Sequence, residues 1–130
     1  MTVTNIDTGS VILVDARFSD EVLTLAGAAT VKAGTILARD SVTNKLVLFV
    51  KGGSTNGNGI PKAIITYEVV ATGAGDTAIR AGISGAYRKS RCVIHADGND
   101  TNIDAVVQDQ LRDYGLRVAS VKELGLLDNQ

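Results

Sequence analysis

One cysteine and one histidine stand three residues apart, Cys92 and His95, and no other pair in the chain is better placed for metal or nucleophile chemistry. Thiolate and imidazole both bind zinc, but a C-x-x-H pair supplies at most two of the four ligands a structural zinc needs. The chain holds no second Cys or His, so the remaining ligands would have to be carboxylates or come from a symmetric copy. The pair reads instead as a partly buried thiol and an ordinary histidine. A Ser-His-Asp or Cys-His-Asn site is equally unmarked: Asp97 lies two residues beyond His95, yet nothing singles out a nucleophile.

The other candidates resolve the same way. Gly73-Ala74-Gly75-Asp76-Thr77-Ala78 matches G-x-G-x-x-A, but a dinucleotide site needs a helix after the glycines. The residues that follow look strand-like, which favours a hairpin turn. GGSTNGNG (52–59) runs on to Lys62, which is preceded by Pro61 and followed by Ala63; a phosphate-cradling loop needs Gly-Lys-Ser/Thr there. Arg88, Lys89 and Arg91 beside Tyr87 form the one basic cluster, a run short enough to be a solvated strand edge. The five aspartates between Asp97 and Asp113 read as a solvated helix face and not a calcium site. Asn99-Asp100-Thr101 is a glycosylation sequon only in a eukaryotic lumen. Lys32 sits where a lipoyl or biotinyl carrier would show its lysine, but the flanking Asp or Met of such tips is missing. No cofactor or metal is expected, and no enzyme.

What remains must be positioned by a fold, and the composition limits which. The chain has 130 residues, 45% hydrophobic but only 4% aromatic, with 14 Gly and one Pro. That length suits one domain able to bury its own core. The core must be built from Val, Ile, Leu and Ala, and the glycine content favours short strands and tight turns. A net charge of −1 gives no field to draw the protein onto nucleic acid or an anionic membrane. One cysteine excludes an intrachain disulfide and is consistent with folding inside a cell. The N-terminus lacks the basic and apolar regions of a signal peptide, and no segment reaches the roughly 18 apolar residues of a membrane span; a soluble protein is expected.

Along the chain, residues 1–10 carry isolated Val3 and Ile6 and read as an arm. Val11–Val14 reads as a short strand, followed by a polar stretch around Phe18. Val31-Lys32-Ala33-Gly34 reads as a turn leading into a strand over Thr35–Arg39, and Leu46–Val50 completes a hairpin with it. Lys62–Ala71 reads as one long strand and Thr77–Gly85 as another, with a possible extension at Cys92–His95. Ile103, Val106, Val107, Leu111 and Tyr114 recur at helical spacing, so one main helix is expected over about 102–114, stopped by Gly115. Leu116–Val121 reads as the last strand. The fold class is α+β and β-rich: a compact domain of short strands with one helix and an N-terminal arm.

The succession Leu25-Ala26-Gly27, Val31 to Ala38 (VKAGTILA), Ala63 to Tyr67 (AIITY) and Gly75 to Gly85 (GDTAIRAGISG) resembles the lambda-type head decoration proteins of tailed bacteriophages. The likeness covers roughly residues 20–125, and the long N-terminal part and the GGSTNGNG loop are not required by it. It implies residues 1–20 as arm and first strand, 21–130 as the decoration domain. It also implies a structural virion protein on the outer capsid surface, made in the bacterial cytoplasm. Its partners would be the major capsid protein and two further copies of itself, without nucleic acid or membrane. Such a trimer would sit at three-fold and quasi-three-fold positions and hold the expanded head against DNA pressure. The arm, with Thr2, Val3, Thr4, Asn5 and Ile6, would supply the capsid contact. A β-rich tail or baseplate component, or a small binding module, is the alternative.

Overall fold

The structure, a computed structural model, describes residues 11–119. Its strands are β1 (Ile12–Leu25), β2 (Ala29–Val31), β3 (Ile36–Arg39), β4 (Leu46–Leu48), β5 (Pro61–Ile65), β6 (Val69–Ala71), β7 (Gly75–Arg88) and β8 (Leu116–Ala119). One helix, α1 (Ala105–Asp113), and a 3-10 turn at Lys89–Arg91 complete the elements. The main sheet runs β1-β4-β3-β5-β7-β8, and β1 pairs back onto β7, so the first five strands close into a small barrel with β8 attached outside it. β2 and β6 form a separate two-stranded ribbon. This is the β-rich α+β fold the sequence implied.

Closure gives the molecule two cores. Leu23, Leu37, Leu46, Ala63, Ile65 and Ile79 are buried together inside the barrel. Ile36, Phe49, Ile64, Tyr87, Ile94, Val107 and Leu111 are buried between the outside of the barrel and α1. β3 therefore sends Ile36 and Ala38 to one core and Leu37 to the other, all fully buried. Burial on both faces explains why β3 and β5 read as continuous apolar runs without polar alternation.

The turn between β2 and β3 joins the two cores. Gly34 has φ +94° and stands third in a turn closed by the Thr35 N–H donating to the Lys32 carbonyl at 3.2 Å, the type II pattern that calls for glycine. Its N–H donates to the Ile65 carbonyl and its own carbonyl accepts from Val93 N–H at 2.8 Å. A Cβ there would overlap the Arg91 carbonyl. The segment that carried the family resemblance is thus a junction where three parts of the chain meet backbone to backbone.

Several sequence expectations change. The short strand at Val11–Val14 is the start of β1, whose 14 residues continue without a break through the polar stretch around Phe18. Register shifts at Ile12/Val14, Val14/Arg17 and Arg17/Phe18 rotate side chains off a regular period of two, which is why the stretch did not look like a strand. Lys62–Ala71 is two strands, because the chain leaves the barrel at Thr66 and joins β2 at Val69. β7 runs from Gly75 to Arg88, longer at both ends than expected, and β6 before it lies in the other sheet. The turn at 72–76 is therefore a crossing between sheets and not a hairpin. The helix begins later than about 102: Asp104 caps it, its side chain accepting from Val107 N–H at 3.0 Å. Ile103, Val107 and Leu111 are buried as expected, but Val106 and Tyr114 face solvent, 63% and 42% exposed. The β3–β4 hairpin forms, though β4 ends at Leu48 and not Val50, and the turn at Gly115 is in place. β8 is described over Leu116–Ala119, the rest of the expected strand to Val121 lying outside the described residues.

Candidate functional site

The reactive residues do not converge on one site. Cys92 is buried, and desolvation pushes its thiol up to about 12, so the nucleophilic thiolate is suppressed. His95 is partly exposed in the turn after Ile94. Among the described residues no three of His, Cys, Asp and Glu are grouped to hold a metal. Lys32 donates to the Gly98 carbonyl at 3.1 Å and ties two loops. The basic cluster is dispersed: Arg88 is 7% exposed, Lys89 pairs with Asp100 at 3.3 Å, and Arg91 is exposed on the 3-10 turn. Of the five aspartates, Asp104 caps the helix and holds Lys51 at 2.7 Å, and Asp109 pairs with Arg112. Gly73–Ala78 leads into β7 and not into a helix, so no dinucleotide cradle forms.

The larger surface feature is the outer face of the β1–β7 ribbon. Asp20 stands opposite Arg80 and Val22 opposite Ala78. The Arg80 guanidinium lies 5.9 Å from the Phe18 ring, and the Arg80 N–H donates to the Tyr67 hydroxyl at 2.8 Å. Phe18, Tyr67 and Arg80 thus form an aromatic and arginine cluster at the surface, the composition typical of contact hot spots. Beside it a shallow open groove of about 630 Å³ runs past Glu21 and Lys45. Glu21 and Lys45 there are each already paired. Arg39 grips both oxygens of Glu21 at 3.0 and 3.1 Å, and this, aided by Ser19, holds the Glu21 carboxyl below the usual range. Lys45 and Thr24 do the same for Asp76. Carboxylates held in ion pairs in this way are suited to contact more than to proton transfer.

The ribbon also presents an edge. Among the described residues, the side of β1 away from β7 meets β4 only at Leu23. That edge carries Asp15, Arg17 and Asp20 and three register shifts, features that discourage unplanned strand pairing. The arm residues Thr2, Val3, Thr4, Asn5 and Ile6 lie outside the described residues. Sequence reading missed the Phe18–Tyr67–Arg80 cluster; the signal available was that two of only five aromatics sit among polar neighbours, in ARFSDE and ITYEV.

No curated protein matches the chain. The family described as bacteriophage lambda head decoration protein D matches it over residues 3–116, through α1 to the first residue of β8. That span takes in seven barrel and ribbon strands, the helix and both cores, and the chain belongs to the bacteriophage lambda head decoration protein D family.

Proposed function

We propose that the protein cements the expanded head of a tailed phage, binding the outside of the capsid as a trimer at three-fold and quasi-three-fold positions. The observation that carries this is the family match over residues 3–116. The surface agrees with it: paired charges, a buried inert thiol and an exposed aromatic cluster fit a protein that works by contact and catalyses nothing. The partners are the major capsid protein and two further copies of the chain, with neither nucleic acid nor membrane. Synthesis is in the host cytoplasm and residence on the outer face of the virion.

The mechanism is linkage. A protein that binds only the assembled shell stabilises that shell by an amount set by its concentration over its dissociation constant, about 2.7 kcal/mol per site at a hundredfold excess. Repeated over the lattice, this resists the outward pressure of packaged DNA. The arm with Thr2, Val3, Thr4, Asn5 and Ile6 supplies the contact by adding a strand to a capsid subunit.

Mixing purified protein with undecorated expanded capsids and imaging the shells tests the reading. Trimeric density at the three-fold positions is expected, and bare capsids at saturating protein would refute the cement role. Removing residues 2–10 should leave a folded protein that no longer decorates. Retained decoration would refute the arm and leave the cement role standing.

A further inference from the structure

The loop after β4 contains two Asn-Gly pairs, Asn56-Gly57 and Asn58-Gly59, and the fold treats them differently. Asn58 is built in. Its Oδ1 accepts from the Thr55 N–H at 3.1 Å, its carbonyl accepts from Val50 N–H at 2.9 Å, and Gly59 is buried so closely against Gly53 that no Cβ would fit. Asn56 is at the tip and exposed. With φ +50°, followed by Gly57 at +82°, it occupies the centre of a tight turn closed by Asn58 N–H to the Thr55 carbonyl at 3.0 Å. Its carboxamide has no hydrogen-bond partner among the described residues.

We propose that Asn56 is a site of spontaneous deamidation and that Asn58 is protected by the fold. The Gly57 amide nitrogen loses its proton to water and bonds to the Asn56 Cγ. The Cγ–N bond of the carboxamide breaks and ammonia leaves, giving a five-membered succinimide. Water then opens either imide bond, yielding aspartate or isoaspartate at position 56. Water is the sole co-reactant and nothing is oxidised or reduced. Glycine at 57 matters because no Cβ shields the attacking nitrogen. Asn44, another asparagine at positive φ, is followed by Lys45 and lacks this opening.

Reaching the succinimide from Asn56 gives up two surface backbone bonds, Asn58 N–H to Thr55 and Ser41 N–H to Asn56, a local opening of low cost. At Asn58 the same closure breaks the bonds from Thr55 and Val50 and dislodges buried Gly59. Each event takes the chain from a net charge of −1 to one unit more negative. Isoaspartate also lengthens the main chain by one carbon where it accepts from Ser41, loosening the link between two loops.

The test is to age the full-length protein at mildly alkaline pH, digest it with trypsin, and locate the change by fragment mass spectrometry in the peptide between Lys51 and Lys62. Conversion at position 56 should outrun that at 58 by about tenfold or more, the gap set by local opening. The synthetic peptide of the same sequence should convert at both asparagines at similar rates. Equal rates in the folded protein, or no conversion at 56 while the peptide converts, would overturn the proposal. Asn56→Gly, which keeps the positive φ, should abolish the new acidic form on isoelectric focusing; its persistence would also overturn it. None of these readouts involves capsids.

Discussion

The barrel core and the helix-side core share strands β3, β5 and β7, yet they are closed by opposite means. The barrel is sealed by backbone pairing between β1 and β7, whose partners run from Leu25 with Gly75 to Ile12 with Tyr87. The helix-side core is covered by one local segment, and its lid is pinned by side chains: Lys51 to Asp104 at its start, and Lys62 lying 3.6 Å from the Tyr114 ring at its end. A ladder of main-chain bonds opens all at once, whereas a pinned lid can lift by itself. The barrel is therefore expected to open as one unit, with the helix as its separable cover.

The most damaging way to break that contrast is at the junction. Gly34→Val places a branched side chain at φ +94° and against the Arg91 carbonyl; left-handed backbone alone costs about 1–2 kcal/mol, and the overlap adds to it. Both cores should fail together, seen as loss of soluble folded protein or a collapse of Tm. A matched pair follows. Leu37→Ala and Leu111→Ala each empty a fully buried site and should cost about 2–5 kcal/mol. Amide exchange should separate them: Leu111→Ala unprotects α1 and β8 while β3 and β5 stay slow, and Leu37→Ala speeds exchange everywhere. Identical exchange patterns would erase the distinction between the cores.

Smaller changes probe the pins. Lys62→Met should loosen the helix end by about 0.5–1 kcal/mol, visible as faster exchange at Leu111 and unchanged exchange in β3. Acid is the mildest probe. Glu21, Asp76 and Asp104 all have lowered carboxyl values, through Arg39, Lys45 and Lys51 respectively. Groups depressed in the folded state stabilise it fully above the ordinary carboxylate range and lose that contribution as pH falls through their lowered values. Tm should thus be flat near neutrality and fall below about pH 4. Glu21→Gln, which removes a two-oxygen grip on Arg39, should cost about 1 kcal/mol or less at neutral pH and flatten the acid limb.

The parts legible in the sequence are those governed by local chemistry. Gly34 marks its turn because only glycine fits it, and Ile103, Val107 and Leu111 mark a helix by spacing. The start of that helix was misplaced because Asp100, Thr101, Asn102 and Asp104 are all acceptable caps, and only packing selects Asp104. β1 was hidden because its bulges break the period, and the split at Thr66 because Thr, Tyr and Glu carry no turn signal. The aromatic and arginine cluster needed the fold: Phe18 in β1, Tyr67 just after β5 and Arg80 in β7 meet only once those strands are paired.

The β1–β7 pairing also sets an order of events during synthesis. Leu25 leaves the ribosome some fifty residues before its partner Gly75, a delay of several seconds at roughly 5–20 residues per second. Through that interval β1 has no β7 to pair with. Charges such as those of Asp15, Arg17 and Asp20 discourage pairing between exposed strands, and they bear on the unpaired strand as much as on the finished fold. An irregular, charged strand is a poor template for unplanned pairing, a property suited to a long strand whose partner is made late.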